Sequence, residues 1–407
     1  MPVFYLLAAS LVFFSYKSLR GGINYLNFFK QELAKPKSNF TPFCSIIAPC
    51  RGLDADLEKN LNALFEQDFP RYEIVFVVDD ETDESVLVIE KVRENFHHRD
   101  TEAQRFSKII FAGKAQAESQ KVHNLRRAVL EVSAESEVYV FVDSDARPDK
   151  EWLRNLIAPL GDETVGAATG YRWFVQKRGG LATQFRAVWN ASIASALGAN
   201  LKSNFCWGGS LAMRRETFEK LEMREKWRGT LSDDFTVTRR MKEANLAIYF
   251  VPQCLTASVE DCTFRELLEF TTRQMKITRV YAGNLWKQSL LGAILFNLVF
   301  IWGILILIFY RANTFGFWFA LVSLFLIFVF STGKSRLRLN AVRLILKDYE
   351  RELRRQFWFQ NTLWIFTPAL FLYNNICALF SRKIVWRDIA YELKSATETV
   401  IINRSRE

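Results

Sequence analysis

Three pairs of acidic residues in this chain stand where buried structure stops. Val138 to Val142 is an unbroken run of β-branched and aromatic residues, the pattern of a strand covered on both faces, and it ends at Asp143-Ser144-Asp145. Tyr72 to Val78 ends in the same way, at Asp79-Asp80. The third pair, Asp233-Asp234, precedes Val237, Met241 and Ala244 in helical spacing. A carboxylate at the end of a buried strand is costly unless something pairs with it. In an open α/β sheet the carboxyl ends of the strands are where ligands sit. Hard oxygen ligands presented this way suit Mg²⁺ or Mn²⁺, which in turn neutralises a diphosphate. The same residues admit a plainer account. Asp143 can open an Asx turn into a helix near Lys150, and Asp233-Asp234 can cap the helix that follows.

These carboxylates need a scaffold, and the sequence offers one over residues 41–262. Cys44 to Ala48 reads as a strand closed by Pro49-Cys50-Arg51-Gly52. Asp56 to Phe65 has helical spacing through Leu57, Leu61 and Leu64, and Asp68-Phe69-Pro70 breaks it. Strand Tyr72–Val78, helix Val86–Phe96, strand Lys108–Phe111, helix Lys121–Glu131 and strand Val138–Val142 follow, with further strands near Val165–Thr169 and Ala247–Val251. Strand and helix alternate over short links, which predicts an α/β, mostly parallel sheet with helices on both faces. Two strand ends on one edge of such a sheet meet over a single ligand, and the third acidic pair arrives from the second half of the domain.

Outside that domain the chain changes character. Of 407 residues half are hydrophobic and 36 are Phe, as expected of a protein partly dissolved in lipid. The net charge is +10, which beside long apolar runs points to an anionic membrane surface rather than nucleic acid, and also suits an anionic nucleotide substrate. Six scattered cysteines without a CxxC pair, and only three histidines, speak against a zinc site and for a reducing compartment. Residues 1–20 read as an N-terminal transmembrane anchor with Lys17 and Arg20 on its cytosolic side, and 21–40 as a polar linker. Residues 263–288 read as a basic amphipathic helix lying in the interface, with Arg273, Lys276 and Arg279 on one broad face. A transmembrane hairpin is expected over 289–332, a basic cytosolic segment over 333–355, and a third membrane segment over 356–380, interrupted at Pro368. If that last segment crosses, the basic tail 381–407 lies outside; if it is re-entrant, the tail stays inside.

Several motifs, in order, carry a resemblance. Asn62 to Asp80, with Phe65-Glu-Gln-Asp-Phe-Pro70 followed by a strand and Asp79-Asp80, looks like the opening of the family 2 inverting glycosyltransferases, which have the GT-A fold. Pro49-Cys50-Arg51-Gly52, Lys121-Val-His-Asn-Leu125, Asp143-Ser-Asp-Ala-Arg147, Gly208-Gly-Ser-Leu-Ala-Met-Arg214, Ser232-Asp-Asp-Phe235 and Ile384-Val-Trp-Arg387 resemble the ceramide glucosyltransferase branch. The likeness runs from about Cys44 to Tyr391. It implies that Pro49, Arg51, Asp79 and Asp80 hold the nucleotide, with Asp80 at the uridine. It implies Asp143 and Asp145 as the pair at ribose, metal and diphosphate, Lys121 facing the nucleotide, and Asp234 as the catalytic base with Asp233 beside it. The family expects a Gln/Arg-x-x-Arg-Trp motif where this chain has Arg273-Gln-Met-Lys276-Ile277. Lys276 can meet a phosphate as a point charge, though not bidentately. Trp207-Gly208-Gly209 reads as a sugar subsite, its glycines admitting close backbone approach and Trp207 stacking, or as an ordinary turn with a buried Trp. Arg387 reads either as a diphosphate ligand or as an interfacial anchor.

The resulting expectation is an integral, multi-pass membrane glycosyltransferase with its catalytic domain in the cytosol. It would move a hexose, glucose first among the candidates, from a UDP-sugar to a lipid hydroxyl with inversion, using Mn²⁺ or Mg²⁺, as in sphingolipid glycosylation. Rivals are the same chemistry on a hopanoid or diacylglycerol or with UDP-N-acetylglucosamine, a polysaccharide synthase, and a non-catalytic nucleotide-sugar-binding scaffold. A dinucleotide oxidoreductase is disfavoured, since no GxGxxG follows the first strand.

Overall fold

In the computed structural model, residues 1–97 and 107–404 are described. The chain divides into two compact units that interleave along the sequence. One comprises residues 32–174, 196–260 and 382–407, the other residues 1–31, 175–195 and 261–381.

The first unit is built on a seven-stranded sheet. Its elements are β1 (Cys44–Pro49), α2 (Leu57–Phe65), β2 (Tyr72–Val78), α3 (Ser85–His97), β3 (Ser107–Phe111), α4 (Gln120–Ala128), β4 (Val138–Phe141), α5 (Trp152–Ile157), β5 (Val165–Val175), β6 (Leu211–Arg214), α7 (Arg215–Lys220), α8 (Met223–Lys226), α9 (Asp233–Glu243) and β7 (Ala247–Val259). The strand order is β3-β2-β1-β4-β6-β5-β7. β1 runs parallel to β2 and β4, β2 runs parallel to β3, and β6 is antiparallel to β4 and β5. The α/β expectation holds, with a correction: the antiparallel β6, only four residues long, was absent from the sequence reading. Every residue of β2 is buried, including Glu73, whose carboxylate accepts from Ser45 Oγ at 2.6 Å and pairs with Lys108 at 3.2 Å. β1 is flanked by β2 on one side and β4 on the other, so the order reverses there. The crevice beyond the carboxyl ends of those strands is the natural ligand site of such a sheet.

A three-stranded antiparallel sheet, β8 (Lys383–Trp386), β9 (Ile389–Ser395) and β10 (Glu398–Arg404), belongs to this same unit. The Gln120 amide donates to the Tyr391 hydroxyl at 3.2 Å, and Arg404 donates to Gln120 Oε1 at 3.2 Å and to the Ala115 carbonyl at 2.6 Å. Gly229, at φ +77°, lies against the Thr397 carbonyl, where a Cβ would not fit. The segment read as a basic tail is therefore folded structure that completes the sheet domain.

The second unit is helical: α1 (Pro2–Leu33, all but its last turn), α6 (Leu181–Ala194), α10 (Phe264–Tyr281), α11 (Gly283–Phe309), α12 (Phe315–Ile345), α13 (Glu350–Thr362) and α14 (Thr367–Phe380). α1, α11 and α12 are long and apolar enough to cross a membrane. Two boundaries differ from the sequence expectation. Helix α1 continues through most of the stretch read as a linker, carrying buried Tyr25, Phe28 and Phe29. Helix α12 continues past the apolar run because Leu339, Ala341 and Val342 keep an apolar stripe going through the basic segment. The helical stretches Lys347–Ile365 and Thr367–Phe380 meet at a 61° bend beside Pro368, the geometry of a broken span or a re-entrant loop. Helix α10 opens on a capping box between Thr263 and Glu266.

Candidate active site

The acidic pairs converge through one lysine. Lys121, in the first turn of α4, meets Asp143 Oδ1 at 2.7 Å and Asp233 Oδ1 at 3.2 Å. Asp143 follows β4 and Asp233 opens α9, so this part-buried ammonium joins two segments far apart in sequence. Burial opposes the charge on Lys121, but Asp143 and Asp233 override it and raise its pKa. Burial likewise works against an ionised Asp143, yet Lys121 and Arg172 outweigh it and hold the carboxyl below its usual range. Asp233 is the exception. Burial, with Asp234 and Asp143 nearby, pushes it up to about 6 despite Lys121. Its Oδ2 is buried and without a hydrogen-bond partner.

The neighbouring Asp234 is half-buried in the first turn of α9. Its hydrogen bonds, from the Ser232 hydroxyl and from the Phe235 amide at 2.7 Å, both fall on Oδ1. Capping is real here, but Ser232 performs it, accepting from the Phe235 amide at 3.4 Å. Asp234 Oδ1 shares that amide, while the Asp233 carboxylate is left for Lys121.

A residue absent from the sequence reading completes the site. Arg172, on β5, reaches Asp145 Oδ2 at 3.0 Å and Asp143 Oδ2 at 3.4 Å. Its guanidinium lies 4.8 Å from the centroid of the Trp207 ring. The signal was a charged residue inside the otherwise apolar run Val165–Val175, which demands a buried partner. Trp207 is buried and folds back over Gly209, where any side chain would clash with its indole. Gly208 packs so closely on Asp233 and Lys121 that a Cβ would displace both. These two glycines are required by the site itself.

On the other side of the crevice, Asp79 is buried, pairs with Arg51 and accepts from Asn124 Nδ2 at 3.0 Å. Burial raises its pKa, against the pull of Arg51. Asp80 turns back on its own loop, accepting from the Thr82 amide at 2.8 Å and hydroxyl at 2.6 Å, and those bonds lower its pKa. Pro49 ends β1 just before Arg51. Arg387, at the β8–β9 turn, donates to the Arg51 carbonyl at 3.0 Å and pairs with Asp54, while Ser144 bonds the same Asp54 at 2.6 Å. The site thus runs from Asp79 through Arg51, Arg387 and Asp54 to the Asp143–Asp145 loop, and through Lys121 to Asp233 and Asp234. His123 stands apart, held by Glu118 at 3.1 Å and the Ala112 carbonyl at 3.0 Å. Arg273 and Lys276 belong to the helical unit. There Arg273 lies over Phe270 and Lys276 donates to Ser381 Oγ at 3.4 Å.

Asp145 Oδ1 is buried with no hydrogen-bond partner, an orphaned hard oxygen beside Asp143. Among the described residues no group of three or more His, Cys, Asp or Glu side chains is set to hold a metal alone. Two carboxylates suffice for an ion that completes its shell with phosphate oxygens and water. The pair fits such an ion.

Comparison with known proteins agrees with the class. A stretch of 84 residues, 19% of this chain, is 31% identical to the ceramide glucosyltransferase of Komagataella phaffii and spans only 16% of that enzyme. Among solved structures, a mannosyltransferase from Pyrobaculum calidifontis in complex with GDP-Man and Mn²⁺ matches 93% of this chain and 99% of its own at 18% identity, with a TM-score of 0.47. Glucosyl-3-phosphoglycerate synthase from Mycobacterium tuberculosis, with Mn²⁺ and UDP-glucose, matches 63% of this chain and 83% of its own at 16% identity, with a TM-score of 0.36. The family model described as glycosyl transferase family 21 matches residues 4–399. The match runs over nearly the whole length, so this chain, whose first unit is an α/β sheet, belongs to glycosyl transferase family 21.

Proposed function

We propose that the protein transfers a hexose from a UDP-sugar, UDP-glucose first, to the hydroxyl of a membrane lipid with inversion, ceramide being the leading acceptor. The observation that carries this reading is the Lys121 bridge, which puts the Asp143–Asp145 loop and the Asp233–Asp234 pair in one part-buried cluster. Asp79, Asp80, Pro49 and Arg51 would take the uridine side of the crevice. A divalent cation held by Asp143 and Asp145 would offset the charge of the diphosphate. Trp207, buried under Arg172, would back the sugar region from behind, and Gly208-Gly209 let Asp233, Lys121 and the Trp207 indole pack onto the backbone there.

Asp234 is the group suited to take the acceptor's proton. With both hydrogen bonds on Oδ1, its Oδ2 is left to receive a proton as the hydroxyl attacks the anomeric carbon. Asp233, fixed by Lys121, holds the helix start in place and keeps a second carboxyl beside the base. The tail strands lie with the catalytic unit, which favours a re-entrant α13–α14 and a catalytic unit facing the cytosol, where Lys17, Arg20 and Lys334 also fall.

The test is a radiolabelled UDP-sugar panel with extracted membrane lipids, read by thin-layer chromatography for wild type and Asp234→Asn. One discrete glycolipid from the wild type is expected, with transfer reduced about 10²–10⁴-fold in the variant and UDP binding kept. A long polymer instead of a glycolipid would replace this reading by a polysaccharide synthase. Full activity of the variant would remove the base from Asp234.

A further inference from the structure

The helical unit holds a second concentration of charge unrelated to the aspartates. Arg338, on α12, is 4% exposed. Among the described residues its hydrogen bonds go only to Ser335 Oγ at 3.2 Å and Gln360 Oε1 at 3.0 Å, and its Nε is buried without a partner. Gln360, on α13, is fully buried, and its Nε2 also lacks a partner. One helical turn earlier stands Lys334, packed under Gly22 of α1 so closely that a Cβ there would press on its backbone and side chain. Among the described residues Lys334 makes no hydrogen bond or ion pair, and no carboxylate pairs with either cation. Two like charges four residues apart on one helix face repel. Buried cations are ordinarily paired, and polar groups at membrane depth are ordinarily satisfied.

We infer that Lys334, Arg338 and Gln360 form a binding site for the phosphate of an anionic phospholipid, at the junction of α1, α12 and α13. The missing partner must be an anion with several acceptor oxygens, since every unmatched group in the cluster is a donor. Depth argues for a lipid as its source. With α1 and α12 as spans, Pro2 to Gly22 and Phe315 to Lys334 each rise about 30 Å, the thickness of the hydrocarbon layer. Gly22 and Lys334 therefore sit together at the level of the headgroups. Basic pockets between helices at that level suit anionic headgroups. The inference does not depend on which sugar or acceptor the enzyme uses.

The test follows thermal unfolding of the full chain in an uncharged detergent. Dihexanoyl phosphatidylglycerol, dihexanoyl phosphatidylcholine or inorganic phosphate is titrated at matched concentrations. Phosphatidylglycerol should raise the midpoint saturably, with phosphatidylcholine well behind. Lys334→Gln should weaken that response about 10-fold, and Arg338→Gln should remove it. Arg336→Gln, an exposed neighbour on the same helix, should leave it unchanged and so exclude general surface charge. An equal response to inorganic phosphate would keep the anion site and assign it to a soluble ligand. No response in the wild type, or an undiminished one in Lys334→Gln, would overturn the site. That variant decides even if Arg338→Gln fails to fold, because Lys334 makes no hydrogen bond or ion pair with any of the described residues.

Discussion

Replacing Lys121 by Met would leave the part-buried Asp143 and the buried Asp233 without their shared cation. Removing one partner of a buried ion pair typically costs about 3–5 kcal/mol. Lys121→Met should therefore lower stability by that order in denaturant unfolding, as well as abolishing transfer. A loss under about 1 kcal/mol would mean that the two carboxylates do not depend on it. Asp233 behaves differently with pH. Its carboxyl is raised from 3.8 to about 6 in the fold, so the folded state favours its protonated form. This contribution to stability is full below the unfolded pKa of 3.8 and is lost as pH rises through about 6. Asp233→Asn should flatten the fall in melting temperature across that window. An unchanged slope in the variant would assign it to other groups. The aspartates themselves were legible from sequence because charges that end apolar runs are conspicuous. Arg172 was less so: a charge inside the run Val165–Val175 asks for a buried partner, but periodicity does not say that β5 will bring it to the Asp143–Asp145 loop.

The elements that position these residues were readable to different degrees, for physical reasons. β1, β2 and β4 are continuous apolar runs with polar stops, and their boundaries came out within a residue or so. β6 has four residues and pairs antiparallel on both sides, so neither its length nor its connections announce it. β8–β10 alternate exposed and buried positions over short stretches rich in Lys and Arg, which read as a solvated tail. Their role in the fold makes a local prediction. Gly229 sits at φ +77° with the Thr397 carbonyl where a Cβ would go. Gly229→Ala should cost about 1–3 kcal/mol and loosen the tail sheet from α4. Faster amide exchange at Gln120, whose N–H donates to Tyr391, would report it. Unchanged exchange there would mean that the contact does not hold the sheet.

At the scale of the whole molecule, the proposed topology can be checked. Single cysteines introduced after Arg404 and into the Asp80–Asp83 loop, in a background without the native thiols, should label from the same side of sealed vesicles. A cysteine at Ala312, between α11 and α12, should label from the other side. Labelling of the first two from opposite sides would make α13–α14 a full crossing and would contradict the shared unit. The sequence left this parity open because apolar length cannot tell a crossing from a bent re-entry. The helix bend and the docking of the strands that follow it are long-range facts.

The closing strands of the catalytic unit have a consequence for biosynthesis. A ribosome makes Asp79, Asp143 and Asp234 long before it makes Tyr391 and Arg404. Helices α10 to α14 intervene between the two groups. The site's supporting layer can dock only after α11 to α14 have been threaded into place. A chain cut short, or one whose later helices fail to insert, therefore emerges with its acidic residues present but unbraced. Glycosyl transfer is in this way tied to the synthesis of β9 and β10, so that an enzyme stranded halfway through insertion stays silent.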